Sequence, residues 1–521
     1  MMSSSQANPN QPQYIETFQS LLFAFVLAMV FRGFVVEGFV IPTGSMAPTL
    51  RGMHLQKQSP QTGQEFAVGF DNARAFSPDR FLDPLLGRRQ SLGATESKRL
   101  DPKMGDRVLV LKSLYPFFEP QRFDVVVFKN PTDTQGLAAN YIKRLIGLPG
   151  ETISIVDGDV FAKRGDEPFA IQRKPEHVQR ALWRTLSDSD AIPIDTLALS
   201  RPWRGQPWRG SPGSAWETQD RSWRTNTTAK ATLEWDSGQL PLDDWVPYNM
   251  LMPAVRHYPM SDLNVSATIV PDDDALEASF ELHTRGHTFA WTIEGNTVRL
   301  TMTKDNGGVV ESVEVDSPIS VTAHKPIRME CWHVDQELVL FINRKRVTSM
   351  KYEFGPDTRI RRATNSLDST PVEEAMEQNI LPPTFEWVFS GSPCTVSNIE
   401  IATDLYYRPS LLPSRATKNP TKPGNEEIVQ PGSPAYGTHI AKPAVLGEDH
   451  FMLAGDNSAF SLDGRLWGNP DEFVATQIDD TPFLVNRDLL IGKAWSVYWP
   501  APKKAFGLPL VPDFSKVRFI R

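Results

Sequence analysis

Three short segments hold residue types that can carry acyl transfer. The first is Ile41-Pro42-Thr43-Gly44-Ser45-Met46-Ala47-Pro48. A serine on a glycine-containing bend presents its hydroxyl to a cleft, and neighbouring amides can be aimed at a developing oxyanion. The second runs from Asn140 to Glu151, where strand alternation sends Tyr141, Lys143 and Leu145 to one face and Ile142, Arg144 and Ile146 to the other. A lysine turned into an apolar interior loses hydration, and its pKa falls from about 10.4. The neutral amine can then take a proton from a serine. The third is the loop Gly455 to Gly468, in which the Ser461 hydroxyl and an Asp463–Arg465 ion pair could position such a base. Each segment alone is ordinary: Gly-Ser is a common turn, strand lysines are mostly exposed, and Asp-Arg pairs decorate many loops.

Rival chemistries find less support. Of 9 histidines, only His54 and His450 lie near these segments, and neither sits in a strong local motif for a Ser/His/Asp triad. There is no His-Glu-x-x-His, and 2 cysteines, Cys331 and Cys394, are too few for a zinc site. Asp272, Asp273 and Asp274 read as a solvated loop rather than a calcium site. Neither a metal nor an organic cofactor is therefore expected. Whether the two cysteines are bonded stays open.

The elements that must position these residues are read from a chain of 521 residues, enough for two to four folded units at roughly 150 residues each. Apolar residues at 40% and charged residues at 22% exclude a wholly disordered chain, and 43 prolines imply long loops. A net charge of −8 leaves no broad basic field, so no nucleic-acid partner is expected. Residues 1–16 form a polar tail. Phe18 to Phe31 is almost wholly apolar, short for a bilayer span of about 20 residues unless its flanks contribute. A cleaved secretory signal is the rival reading, but Glu16 is the only charge before the run and no small-x-small site follows it. An uncleaved anchor over 17–38 is expected. Its orientation is not fixed by charge, because Arg32 follows the apolar run.

Beyond the anchor, 39–155 carries strand signals around a polar loop insertion at 54–104. A connecting segment, 156–240, contains Trp183-Arg184, Trp203-Arg204, Trp208-Arg209 and Trp223-Arg224, which suggests cation–π packing of Arg over indole. Short strands alternate with turns over 241–408, as in a β-sandwich, and Val334 to Glu337 turns a hairpin. A Pro/Gly-rich linker follows at 409–436, and strand signals return over 437–521. The chain ends thus read as one mainly β domain interrupted by a sandwich. The loop-rich boundaries predict an insertion that is separable and dispensable for chemistry.

In this order, the three segments resemble those of type I signal peptidase, the membrane-bound Ser/Lys endopeptidase that removes signal peptides. The likeness extends to Gly105-Asp106-Arg107-Val108-Leu109-Val110, Phe123 to Phe128 and Leu490 to Ala494. It implies a mainly β catalytic domain on the extracytoplasmic side of the cell membrane, held by a single-pass anchor in the lipid bilayer. Secretory preproteins are the implied partners, cleaved after small-x-small sites. Ser45 would be the nucleophile and Lys143 its base. The Ser45 amide and the Thr43 hydroxyl would form the oxyanion hole, Met46 and Tyr141 would line the substrate cleft, and Ser461 would orient Lys143. Asp463 would pair with both Arg465 and Arg144. Ser458 and Gly464 depart from the residues usual in that loop, Arg and Ser. The sandwich resembles concanavalin A-like or laminin G-like jelly rolls, which implies a glycan or protein ligand. An inactive membrane-tethered binding protein is the competing function, and it has no use for the Ser45, Lys143 and Asp463 set.

Overall fold

The computed structural model describes residues 11–30, 33, 35–69, 80–86, 88–91, 102–133, 139–197, 204–211, 216–219, 221–249, 256–419, 424–499, 503–505, 508–511 and 517–521. Most of the polar tail, Phe31 and Arg32 of the expected anchor, much of 54–104, and Trp203 lie outside them.

The two ends of the chain build one antiparallel sheet. Its strand order is Val36–Val40, Arg107–Leu111, Leu490–Trp499, Val125–Lys129, Asn140–Gly147, His450–Ala454 and Val485–Asn486. β-Branched alternation explains how the sheet buries both faces. Val125 and Val127 join a core with Val108, Val110 and Ala494, whereas Val126 and Phe128 join Leu145, Phe451, Leu453 and Trp467 on the other side. A smaller sheet runs Ala170–Ile171, Asp159–Arg164, Glu151–Val156, Ala444–Val445. The boundary expected at 155 falls inside the hairpin of Glu151–Val156 with Asp159–Arg164, and the sheet it belongs to runs on to Ile171. Within 54–104, two hairpins are described, His54–Gln58 with Glu65–Gly69 and Arg80–Asp83 with Arg88–Ser91.

Between the ends lie two sheets packed face to face. One runs Trp216–Gln219, Ser222–Thr225, Cys394–Thr403, Leu263–Pro271, Ile327–Val334, Glu337–Ile342, Lys345–Lys351, and the other runs Trp208–Gly210, Ala231–Trp235, Thr384–Ser390, Glu277–Thr284, His287–Glu294, Thr297–Lys304, Val309–Asp316. Alternate residues such as Phe289, Trp291, Ile293 and Val298, Leu300, Met302 fill the space between them. Asp335 and Gln336 at φ 48° and 57° make the tight turn of the expected hairpin. Cys331 and Cys394 are both buried in this unit and both free.

The sandwich begins well before 241. Arg184–Asp188 pairs with Cys394–Thr403, and the strands at 208–210, 216–219, 222–225 and 231–235 complete its sheets. The supposed connector is thus largely sheet. No described arginine of the Trp-Arg dipeptides stacks on a tryptophan, because neighbours on a strand face opposite ways. Trp208 and Trp223 enter the core, while Arg209 and Arg224 turn out to Asp236 and Asp272 at 2.6 and 2.7 Å.

Nor is the insertion loosely tethered. Arg359 reaches Asp157 at 2.8 Å and Asp159 at 2.6 Å across the junction, Arg285 meets Asp157 at 3.0 Å and Asp262 at 2.7 Å, and Lys174 meets Asp335 at 2.5 Å and Asp404 at 2.9 Å. Within the expected linker, Val429 packs with Leu412, Ala416 and Phe483. These contacts replace the separable insertion expected from composition.

At the N-terminus, the apolar run forms the helix Gln11–Val30, whose residues from Tyr14 onward are exposed. The expected 17–38 span is not one element: β-branched Val36 opens a strand whose Glu37 pairs with Val110. Among the described residues, no helix is long and apolar enough to cross a membrane.

Candidate active site

Ser45 sits on a turn held at both ends by the large sheet. Ile41 N–H donates to Asp106 O at 2.9 Å, and Ile41, Met46 and Leu50 sink into the core beneath the strands. Met46 is fully buried, so it supports the turn from within instead of lining an open cleft. The residue after the serine is apolar and packs inward, which leaves Ser45 half-buried and facing out. Thr43 is exposed two residues earlier on the same loop.

The loop after His450–Ala454 closes over this turn. Asn457 N–H donates to Ser45 O at 3.0 Å, and Asn457 Nδ2 donates to Gly44 O at 2.9 Å. The approach requires glycine at 455, where a Cβ would lie 2.5 Å from Ser45 O and 2.2 Å from Ser461 Oγ. The Ser45 amide donates to no backbone group among the described residues.

Lys143 reaches Ser45 from the strand Asn140–Gly147, which lies between Val125–Lys129 and His450–Ala454. Its Nζ donates to Ser45 Oγ at 2.6 Å and to Ile142 O at 3.1 Å, and the residue is only 3% exposed. Burial lowers its pKa from the ordinary 10.5 to about 8, against the opposing pull of Asp463 and Asp456. Burial alone would raise the Asp463 carboxyl, but Arg465, the Gly455 N–H and Ser461 together hold it below the usual carboxylate range. Arg465 grips Asp463 with Nε at 2.9 Å and an Nη at 2.8 Å, and also donates to Ser458 Oγ at 2.7 Å.

Two expected contacts are rearranged. Arg144 does not pair with Asp463: it binds Asp456 through two hydrogen bonds of 2.8 and 2.7 Å and donates to Phe123 O at 2.8 Å. Lys143 and Arg144 are consecutive on a strand and point to opposite faces, so Lys143 meets Ser45 while Arg144 meets Asp456. Ser461 makes no hydrogen bond to Lys143. Its buried hydroxyl lies beside Asp463 without reaching hydrogen-bond geometry with any partner among the described residues. Tyr141, half-buried two residues before Lys143, donates to Asp133 at 3.3 Å. Neither His54 nor His450 meets Ser45: His54 Nδ1 lies 2.7 Å from Gly52 O, and His450 pairs with Asp479 at 2.5 Å.

Asp456 and Asn457 escaped the sequence reading, although both stand in the Gly-Asp-Asn-Ser run that marks the third segment. Asn249, bonded to Asn457, carries no local signal at all.

Residues 91–197 match the family described as signal peptidase, peptidase S26, a stretch that includes Lys143 and excludes Ser45. The chain is similar to Signal peptidase I of Pseudomonas aeruginosa, 30% identical over 167 residues that cover 30% of this chain and 44% of the relative. It is also similar to Signal peptidase I of Rickettsia typhi, 29% identical over 146 residues, 28% of this chain and 42% of that protein. The chain thus spans less than half the length of these relatives. Among solved structures, the carbohydrate binding module CBM66 from Bacillus subtilis overlaps 38% of this chain and 98% of its own, at TM-score 0.24 and 8% identity. Sheep galectin-11 overlaps 28% of this chain and 92% of its own, at TM-score 0.19 and 9% identity.

Proposed function

We propose that the chain is a serine endopeptidase that removes signal peptides from secretory preproteins through a Ser45/Lys143 dyad. The observation that carries this reading is the 2.6 Å contact between Ser45 Oγ and a buried amine whose pKa is lowered to about 8. Neutral Lys143 takes the Ser45 proton as Oγ attacks the scissile carbonyl carbon. The oxyanion forms against the Ser45 amide and the Thr43 hydroxyl. As the C–N bond breaks, protonated Lys143 returns the proton to the leaving amine, giving a Ser45 ester. A water deprotonated by Lys143 then hydrolyses the ester and frees Ser45. Asp463, clamped by Arg465, acts on the amine's side of the strand, and Arg144, clamped by Asp456, fixes the opposite face.

The substrate is read as the small-x-small end of a secretory signal, bound extended against a strand edge. The exposed apolar side of the Gln11–Val30 helix is read as the tether to the bilayer, with the catalytic domain on the extracytoplasmic side. Incubating the full chain with a secretory preprotein ending its signal in Ala-x-Ala tests the activity. A single cut after the second alanine, identified by N-terminal sequencing of the product, is expected. No cut, or cuts scattered elsewhere, overturns the proposal.

Thr43 adds a more local expectation. Removing one oxyanion donor typically costs about 10² to 10³ in rate. Thr43→Val should lower kcat with little change in KM, and Thr43→Ser should stay near wild type. A loss confined to KM would place Thr43 in substrate binding.

A further inference from the structure

The amide that would receive the oxyanion is held from a distance by the inserted region. Asn249 ends the short turn Pro247–Asn249, between the sandwich strands Ala231–Trp235 and Leu263–Pro271, and is 1% exposed. Its Nδ2 donates to Asn457 Oδ1 at 2.7 Å, and Asn457 Nδ2 donates back to Asn249 Oδ1 at 2.8 Å. The same Asn457 amide group donates to Gly44 O at 2.9 Å, while its backbone N–H donates to Ser45 O at 3.0 Å. One asparagine therefore donates to both the Gly44 and the Ser45 carbonyls, the Gly44 oxygen also accepting from Ala47 N–H at 3.0 Å, and that asparagine is held by Asn249.

The geometry of the peptide unit gives this chain of contacts a chemical meaning. Gly44 C=O and Ser45 N–H belong to one planar trans amide, so a donor fixed on the carbonyl aims the N–H in the opposite direction. A hydrogen bond accepted at the carbonyl also polarises the amide and strengthens its N–H as a donor. The neighbouring residue blocks rotation of the same unit. The Tyr248 ring occupies the space beside Gly44, where a Cβ would lie 2.2 Å from a ring carbon, and its hydroxyl donates to Met53 O at 3.1 Å. Val246 and Tyr248 pack with Ala47 and Ala67 around that loop. Arg408 pairs with Asp244 at the base of the segment, tying it to the chain as it leaves the sandwich.

We propose that Asn249, a residue of the insertion, is a positioning residue for catalysis: acting through Asn457, it aims the Ser45 amide at the oxyanion. This rests on the peptidase reading above. It assigns to the inserted region a part in the chemistry, through a side chain that touches neither Ser45 nor Lys143.

The test compares the full chain with Asn249→Ala, Asn457→Ala and the double variant in a preprotein cleavage assay, with Ser45→Ala alongside. Asn249→Ala should lower kcat about tenfold, less than outright loss of an oxyanion donor, and leave KM unchanged. The rise of activity through about pH 8 should keep its midpoint, because Lys143 keeps its surroundings. The double variant should be no slower than Asn457→Ala, since Asn249 acts only through that residue. Where the alanine variant melts below wild type, Asn249→Asp, which keeps an acceptor facing Asn457 Nδ2 and removes only the donor, is read in its place. An unchanged kcat, a shifted pH midpoint, or losses that multiply in the double variant each overturn the proposal while wild-type cleavage still upholds the peptidase. Absence of cleavage by wild type removes the peptidase reading itself, and this inference with it.

Discussion

Replacing Ser45 or Lys143 by alanine is expected to reduce preprotein cleavage by several orders of magnitude, with the double variant no worse than either, because nucleophile and base act as one unit. The lysine makes two further expectations sharp. Activity should climb with pH as the amine, held at about 8, loses its proton. An optimum near pH 5 would contradict a lysine base.

Stability should rise with pH as activity does, but over a higher window. Lys143 falls from its ordinary 10.5 to about 8 on folding, so the folded chain binds fewer protons than the unfolded chain between those values. Wild-type stability should therefore rise with pH across that window, and below it the cost of burying the charged amine is fully present. Lys143→Met removes that cost and should melt higher than wild type at pH 7, with a flatter response between about pH 8 and 10.5. Thermal melts of the two proteins across this range decide the matter. A methionine variant that melts lower at neutral pH would mean that the amine is not paying a desolvation penalty.

The second large effect concerns the junction between the small sheet of Glu151–Val156 and Asp159–Arg164 and the sandwich. Arg359 is fully buried and touches Asp157 at 2.8 Å and Asp159 at 2.6 Å, with Asp262 at 3.6 Å. Arg359→Met leaves Asp157 and Asp262 to Arg285 and takes from Asp159 its described ion pair, and breaking such a buried set typically costs roughly 3–5 kcal/mol. Burial and Asp262 already push the Asp159 carboxyl above its usual range. Without Arg359 the Asp159 carboxyl is pushed further up and holds its proton more tightly than in the unfolded chain, so the variant should regain stability as pH falls toward about 5. Chemical denaturation at both pH values measures this. A loss under about 1 kcal/mol would mean that the remaining cations suffice.

Much of this was open to reading from residue order, and the failures have identifiable physical causes. Strands such as Thr297–Lys304 alternate apolar and polar residues across one buried face, so their period was plain. The strands at 216–219 and 222–225 alternate too, but they are four residues each and set among prolines and glycines, which made them look like a connector. Trp223 with Arg224 was already the clue: a large apolar residue followed by a charged one is what a half-buried strand requires. Ser45 and Lys143 were singled out because segments that are each ordinary alone stand together in one distinctive order. The Arg144 partner was misassigned because a motif names residues without fixing which face of the strand each one leaves. Asn249 could not be found at all, since its meaning comes from a contact with a residue 208 positions away.

The place of the strand Leu490–Trp499 has a bearing on biosynthesis. It lies between Arg107–Leu111 and Val125–Lys129, two strands that follow each other in sequence yet do not pair with one another. In chain order Ser45 and Lys143 come before the sandwich, whereas the slot between these two strands is filled by residues 490–499, which come after it. During synthesis, the joining of Arg107–Leu111 and Val125–Lys129 into one sheet therefore waits on a segment made after the whole sandwich.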